Sequence, residues 1–113
     1  MLAEDDATML TLLTTLLKME GFQTTALDAD NDIVAEVAAQ RPDILLMDVH
    51  LANKNGLDEL KRLRAAPGGA QVRVVMASGL NVKDECLKNG ADAFLMKPYA
   101  PEDLFAVLRG KNE

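Results

Sequence analysis

Aromatic residues and cysteines are scarce in this chain of 113 residues, which has no tryptophan, one tyrosine, three phenylalanines and one cysteine. So few aromatic side chains offer little surface on which nucleic-acid bases or a flavin ring could stack. The single cysteine, Cys86, has no partner for an internal disulfide. We therefore expect a protein of the reducing cytoplasm, with Cys86 as a small buried residue of a helix.

Excess positive charge and long apolar runs are lacking as well. The formal net charge is −6, and no basic stripe is present that could replace the counterions of a nucleic-acid phosphate backbone. No apolar stretch approaches the length that crosses a membrane. Hydrophobic residues make up 49% and charged residues 27% of the chain, which is a globular composition. We expect one domain with one core, residues 1–113, that contacts neither nucleic acid nor membrane directly.

A short apolar run, Ile44 to Met47, leads directly into a single carboxylate, Asp48. Because the run has neither a polar break nor an alternation, it suits a strand that is buried on both faces of a parallel sheet. A buried piece of helix would have the same composition, but Pro42 before the run and the loop-like residues 52–56 after it favour the strand. Asp48 would then lie beyond the strand's carboxyl end, where open parallel sheets place their chemistry.

Strand and helix patterns alternate five times along the chain. Apolar or β-branched runs predict strands at residues 1–3, 22–27, 44–47, 72–77 and 93–96. Helical spacing predicts helices at residues 7–20, after a cap at Asp30 or Asn31, from Gly56 to before Pro67, at 82–89 and from Pro101 onward. The first two helices would bury Met9, Leu12, Leu13, Leu16 and Leu17, and Ile33, Val34, Val37 and Ala38. This alternation predicts an α/β fold, a doubly wound five-stranded parallel sheet in the flavodoxin-like order 2-1-3-4-5.

Four of the predicted strands end in polar residues, namely Glu4 and Asp5, Asp48, Ser78, and Lys97. Because the carboxyl ends of parallel strands meet at one edge of the sheet, we expect these side chains to lie close together. Neighbouring carboxylates repel each other and favour a bound cation, and a few hard oxygen ligands suit Mg²⁺. Lys97 can neutralise an arriving anion, and the hydroxyl of Ser78 can donate a hydrogen bond to it. The set is complementary to a metal ion and a phosphoryl group, with Asp48 as the nucleophile.

Each of these residues also has an ordinary structural explanation. The acidic run 4–6 could cap the following helix, a role that suits Asp6 in particular. Asp48 and Ser78 could belong to plain turns, and Lys97 could be a surface lysine. His50 suits a loop residue near the site better than a side-chain metal ligand, because no cysteine or second histidine accompanies it. The coincidence at four strand ends argues for a shared site.

In order and spacing, these residues resemble the receiver domains of two-component response regulators, of the chemotaxis-Y type, over essentially the whole chain. The resemblance is carried by Glu4-Asp5, Asp48, Gly56 eight residues later, Ser78, the run Asn89 to Asp92, Phe94, and Lys97-Pro98. Each motif is weak alone, and together in this order they are specific. The resemblance implies a signalling domain that catalyses only its own phosphorylation and dephosphorylation.

The resemblance also implies a role for each residue. Asp5 and Asp48 would bind Mg²⁺ directly, Glu4 would do so through water, and the backbone carbonyl of His50 would complete the protein ligands. Asp48 would accept a phosphoryl group from a phosphohistidine on a sensor histidine kinase or a phosphotransfer protein. Lys97 would hold phosphoryl oxygens together with the hydroxyl at position 78.

The same resemblance implies how the signal leaves the site. Ser78 would move toward the phosphate, and Phe94, the switch aromatic, would turn inward, which shifts the domain between two existing conformations. The family also tends to have a cis bond before the proline, here Lys97-Pro98. The output protein or domain is not named by the sequence. A homodimer through the face between the fourth strand and the fifth helix is compatible with the residues but not required by them.

The chain departs from the family pattern in two places. The segment from Ser78 to Lys97 is a few residues shorter than usual, which predicts a short or irregular fourth helix. Ala52 stands where the family usually has proline. His50 and Leu80 occupy positions that influence the dephosphorylation rate in the family.

Three other classes compete with this interpretation. A haloacid-dehalogenase-like phosphatase also uses an Asp nucleophile and Mg²⁺, but it wants a second Asp where this chain has His50, and it needs a longer chain. A carrier of flavin mononucleotide requires a phosphate loop after the first strand, where the acidic residues 4–6 would repel a phosphate. A pseudo-receiver that serves only protein interaction would have lost the acceptor, the lysine or the acidic pair, and none of these is lost.

Overall fold

The chain is described by a computed structural model for residues 1–28 and 30–110. Its strands are β1 (Leu2–Ala3), β2 (Ile44–Asp48), β3 (His50–Leu51), β4 (Lys54–Asn55), β5 (Arg73–Ser78) and β6 (Ala93–Met96). Its helices are α1 (Ala7–Met19), α2 (Ile33–Gln40), α3 (Gly56–Ala65), α4 (Lys83–Lys88) and α5 (Pro101–Leu108). The last three residues of the predicted domain, 111–113, lie outside the described residues.

The main sheet is parallel and has the strand order β1-β2-β5-β6. Its register places Leu46 of β2 between Leu2 of β1 and Val75 of β5. These are the predicted first, third, fourth and fifth strands, in the predicted order.

The predicted second strand, residues 22–27, is wrong in its extent. In the described residues only Ala26 forms a bridge, to Leu2, on the side of β1 that faces away from β2. Leu2 N–H donates to Thr25 O (2.8 Å), and Leu27 N–H donates to Leu2 O (2.9 Å). Because β1 has only two residues, it offers an outer neighbour few further partners. The sheet therefore has four strands and one bridging residue rather than five strands.

Helices cover both faces of the sheet, as predicted for a doubly wound fold. Leu45 and Met47 of β2 pack in a core cluster that includes buried residues of α2, α3 and α4. Leu46 points to the other face and packs in a second cluster with α1 and α5. The unbroken apolar run of β2 is thus explained, because every residue of it meets a covered face.

The helix ends and lengths agree with the sequence in part. Asp6 caps α1 as predicted, but α2 is capped by Asp32 rather than by Asp30 or Asn31. The side chain of Asn31 instead accepts the backbone N–H of Asp28 (2.7 Å). The fourth helix, α4, has only six residues, which confirms the predicted short helix.

The buried stripes are narrower than predicted. Leu12 of α1 is 52% exposed, and Ala38 of α2 is exposed too, because both lie at the margin of their apolar stripes. Cys86 is fully buried within α4, as predicted. Among the helices of the described residues, none has both the length and the apolar character that crossing a bilayer requires.

The segment after Asp48 forms a hairpin that the sequence did not predict. β3 pairs antiparallel with β4, and residues 52–53 form the turn between them. Gly56 follows the hairpin and passes so close to β2 that a Cβ atom there would lie 2.5 Å from the carbonyl oxygen of Asp48. Only glycine allows this approach.

Candidate functional site

Four parallel strands deliver polar residues to the same edge of the main sheet. Asp48 is the last residue of β2 and Ser78 the last residue of β5, while Glu4 follows β1 and Lys97 follows β6. The ends of the neighbouring strands β5 and β6 are tied together, because Lys97 N–H donates to the carbonyl oxygen of Ser78 (2.8 Å). The structure therefore brings these four predicted residues to one edge of the sheet.

The ammonium group of Lys97 lies between two carboxylates. Lys97 Nζ is 2.6 Å from Asp48 Oδ2 and 2.9 Å from Glu4 Oε1. The side chains are largely sheltered, with exposures of 21% for Lys97, 11% for Asp48 and 8% for Glu4. Burial alone would lower the pKa of Lys97, but the hydrogen bonds to Asp48 and Glu4 and the negative charges of these two groups together outweigh it and raise the pKa above the usual 10.5. Lys97 is therefore a positive charge at the site at any physiological pH.

Asp48 is fixed from both sides of its carboxylate. Oδ2 accepts from Lys97, and Oδ1 accepts the backbone N–H of His50 (3.0 Å). The next peptide is held as well, since Val49 N–H donates to Ala77 O (2.9 Å) and Val49 O accepts from Gly56 N–H (2.7 Å). Asp48 and the residue after it are thus held by the Lys97 side chain and by backbone groups of β3, β5 and α3.

The two residues of the acidic pair, Glu4 and Asp5, have different partners. Glu4 lies in the site, and its second oxygen, Oε2, accepts the backbone N–H of Asp6 (3.1 Å). Asp5 is exposed, and its Oδ2 accepts the backbone N–H of Ala52 in the hairpin turn. The sequence did not predict this contact, because a backbone donor in a loop has no signature in the residue types.

The residues fit Mg²⁺ in their chemistry. Glu4, Asp5 and Asp48 supply hard carboxylate oxygens, the ligands that Mg²⁺ prefers, and two of these carboxylates already hold a cationic group between them. Within residues 1–28 and 30–110, no three His, Cys, Asp or Glu side chains are gathered tightly enough to hold a metal ion. The donors are of the right kind, and Lys97 and Ala52 hold them in the observed arrangement. His50, whose carbonyl was predicted to join them, lies in β3, two residues after Asp48.

Ser78 and Phe94 lie in the neighbouring strands β5 and β6. Ser78 is fully buried, and its Oγ accepts the backbone N–H of Leu80 (3.0 Å). Phe94 is half-buried in β6 and packs against the core cluster on the side of α2, α3 and α4. Among the described residues, the Ser78 side chain makes no hydrogen bond to Asp48 or Lys97. Its hydroxyl proton is therefore not committed to the other residues of the site.

One further residue near the site was missed. Tyr99 is half-buried two residues after Lys97, beyond a peptide bond, Lys97–Pro98, that is cis. Burial raises the pKa of Tyr99, the charge of Lys97 opposes that rise, and the charges of Glu4 and Asp48 add to it. The Tyr99 phenol is therefore near enough to Lys97, Glu4 and Asp48 for their charges to affect its pKa. The only sequence signal was its place beside the Lys-Pro pair.

The fold and this edge define a flavodoxin-like α/β domain with carboxylates, a buried hydroxyl and a lysine at the carboxyl ends of its strands. The family described as "Response regulator receiver domain" matches residues 1–109. The chain belongs to this family, a family of signalling domains, and the resemblance seen in the sequence is confirmed.

Two curated relatives show how much of a longer protein the chain matches. The DNA-binding response regulator MtrA of Mycolicibacterium paratuberculosis is 33% identical over 114 residues, which cover 98% of this chain and 49% of the relative. The sensory transduction protein RegX3 of Mycolicibacterium smegmatis is 31% identical over 109 residues, which cover 96% of this chain and 48% of the relative. The chain thus spans about half the length of the curated relatives it matches.

Two crystal structures show the same fold over nearly the whole chain. A response regulator from Chloroflexus aurantiacus has a TM-score of 0.88 and 25% identity, and the match covers 97% of this chain and 93% of the other. The receiver domain of the sensor histidine kinase PA1611 from Pseudomonas aeruginosa has a TM-score of 0.84 and 27% identity, covering 96% and 92%. The latter holds a magnesium ion coordinated in its active-site cleft.

Proposed function

We propose that this domain is a phosphorylation-activated switch of two-component signalling. It accepts a phosphoryl group on Asp48 from a phosphohistidine of a sensor histidine kinase or a phosphotransfer protein, with Mg²⁺ as cofactor. The observation that carries the proposal is the contact of Lys97 Nζ with Asp48 Oδ2 at 2.6 Å, at an edge where Ser78 also ends its strand. A carboxylate at the end of a strand, beside a fixed cation, is placed to act as a nucleophile toward an anionic group.

The transfer step uses the residues at this edge. A carboxylate oxygen of Asp48 attacks the phosphorus atom, a new O–P bond forms, and the P–N bond to the donor histidine breaks. The leaving imidazole keeps the electron pair of that bond and takes up a proton. Lys97 offsets the charge on the phosphoryl oxygens, and the Ser78 hydroxyl donates to one of them. Lys97 must turn from the carboxylates toward the phosphoryl group, over a distance that its flexible stem allows.

Four groups would hold the metal ion. Asp5 and Asp48 would bind it through their carboxylates, Glu4 through water, and His50 through its backbone carbonyl. When bound, Mg²⁺ neutralises charge on the phosphoryl oxygens. The magnesium ion in the receiver domain of PA1611 supports this part of the proposal.

Ser78 would start the response to phosphorylation. Its fully buried hydroxyl now accepts the Leu80 N–H, and we infer that it turns toward the phosphoryl group as the end of β5 moves, which changes the contact with Leu80. Phe94 is half-buried in the neighbouring strand and would turn inward as this strand end moves. The phosphorylated and unphosphorylated forms would thus differ at α4 and β6.

The receiver would pass this change to an output domain or protein. The match to about half of the DNA-binding response regulator MtrA supports an output in a second domain or protein. With a net charge of −6, the receiver itself is unsuited to bind DNA. Such a switch would act in the cytoplasm, where its kinase and output partners meet it.

Intact-mass spectrometry after incubation with acetyl phosphate tests the proposal. We expect one added phosphoryl group in the wild-type protein with Mg²⁺, and none without Mg²⁺ or in Asp48→Asn. Asp58→Asn serves as the matched control, because Asp58 is an exposed carboxylate in the first turn of α3 and should not affect phosphorylation. An adduct of equal yield in Asp48→Asn would refute the proposal.

A further inference from the structure

Asp5 is held away from its acidic neighbours by the hairpin that follows Asp48. The backbone N–H of Ala52 donates to Asp5 Oδ2, which joins residues 47 positions apart in the sequence. Glu4 and Asp48, in contrast, share the ammonium group of Lys97. The three carboxylates are therefore bound by two separate internal donors, and within the described residues they form no cluster that could hold a metal ion.

The turn of the hairpin is built so that the N–H of Ala52 can make this contact. The two-residue ladder pairs His50 with Asn55 and Leu51 with Lys54, which leaves the N–H of Ala52 outside the ladder. Neither Ala52 nor Asn53 is among the positive-φ residues of the described chain. The turn is thus not of the mirror-image type, and it aims the N–H of its first residue toward Asp5.

We propose that the Ala52 N–H is a competitor of the divalent cation for Asp5, so that Mg²⁺ binding and release of the hairpin turn are one coupled step. This inference rests on the proposed Mg²⁺ site. An N–H dipole and a cation both seek the lone pairs of the same carboxylate, and Mg²⁺ demands a nearly octahedral set of ligands. Asp5 must turn from the hairpin toward Asp48 to join such a set, and this movement breaks its bond to the Ala52 N–H.

Replacing Ala52 with proline removes the competing N–H and adds no polar group, because proline is the amino acid without a backbone N–H. Leu51 lies in a strand, and an extended residue is what proline prefers before it. Proline is also favoured at the first central position of a turn with negative φ. Ala52→Ser is the matched control, because serine keeps the N–H and a small side chain.

Isothermal titration with MgCl₂ then measures the competition directly. We expect Ala52→Pro to bind Mg²⁺ about three- to tenfold more tightly than wild type, since an exposed hydrogen bond opposes the cation with about that factor. Ala52→Ser should bind like wild type. Unchanged or weaker binding by a folded Ala52→Pro variant would overturn the inference, and a circular-dichroism spectrum identical to wild type would establish that it is folded.

The amide of Ala52 in the wild-type protein gives a second, independent answer. In ¹H–¹⁵N spectra, addition of Mg²⁺ should move this amide proton upfield and speed its exchange with water. The amide of Met9, which donates to Asp6 outside the site at 3.0 Å, should not change. An Ala52 amide that keeps its shift and exchange rate in Mg²⁺-saturated protein would overturn the inference alone. A wild-type protein that neither binds Mg²⁺ nor takes up a phosphoryl group would overturn the proposed function with it.

Discussion

Replacing Gly56 with alanine should destabilise the protein by shifting the backbone that carries Asp48. A Cβ atom at position 56 would lie 2.5 Å from the carbonyl oxygen of Asp48 and 2.7 Å from Cα of Val49. Both are backbone atoms, so no side chain can rotate out of the way. The segment is also anchored to the neighbouring strand, because Val49 N–H is bonded to Ala77 O at 2.9 Å.

The size of the effect follows from two opposing contributions. Overpacking of a well-packed region costs about 1–3 kcal/mol of unfolding free energy. Alanine is the better helix former, but Gly56 is the first residue of α3, where this gain is well below the ~1 kcal/mol of a helix interior. We expect a net loss of about 1–2 kcal/mol, which lowers the urea midpoint by roughly 0.5–1 M for a protein of this size.

Urea denaturation followed by circular dichroism measures this loss, and Gly79→Ala is the control. Gly79 also follows a strand of the site, yet a Cβ atom there would meet nothing within 4 Å, and its φ is not positive. The control should stay within about 0.5 kcal/mol of wild type. If Gly56→Ala were as stable as Gly79→Ala, the close approach of α3 to the end of β2 would be refuted.

Two further predictions concern the core and the charge of the site. Leu60 is fully buried, so Leu60→Ala should cost about 2–5 kcal/mol in chemical denaturation, whereas Leu12→Ala, at a position 52% exposed, should change stability by less than about 0.5 kcal/mol; equal losses would contradict the assigned burial. The folded protein holds the proton of Lys97 above the usual pKa of 10.5, so stability should fall as the pH rises from that value through the raised pKa. In thermal melts over this pH range, the stability of Lys97→Met should decline less steeply than that of wild type. The decline that remains should come from Tyr99, whose pKa is raised by burial. An unchanged slope would contradict the pairing of Lys97 with Asp48 and Glu4.

Much of the site could be predicted because its residues are tied to strand ends. An apolar run that stops at a polar residue identifies both the strand and the residue at its carboxyl end. This reasoning placed Glu4, Asp48, Ser78 and Lys97 at one edge, where the structure has them. The prediction was correct because the carboxyl ends of parallel strands meet at one edge of the sheet, independently of the conformation of the loops.

Contacts made by loops could not be predicted in this way. Nothing in the residue types from Val49 to Asn55 indicates a hairpin, and the donor to Asp5 is a backbone N–H that every residue except proline carries. The prediction of a second strand was wrong in its extent for a related reason. Residues 22–27 have strand-like composition, but their pairing depends on β1, whose two residues give them little to pair with.

Asp48 is the residue on which we propose that the domain is phosphorylated. Reduction of the phosphorylated protein with borohydride tests it most directly, since an acyl phosphate is reduced to the alcohol and a phosphorylated aspartate becomes homoserine. Peptide sequencing by mass spectrometry should find homoserine at position 48, only after treatment with acetyl phosphate and Mg²⁺. Aspartate at position 48 together with homoserine at another position would contradict the account.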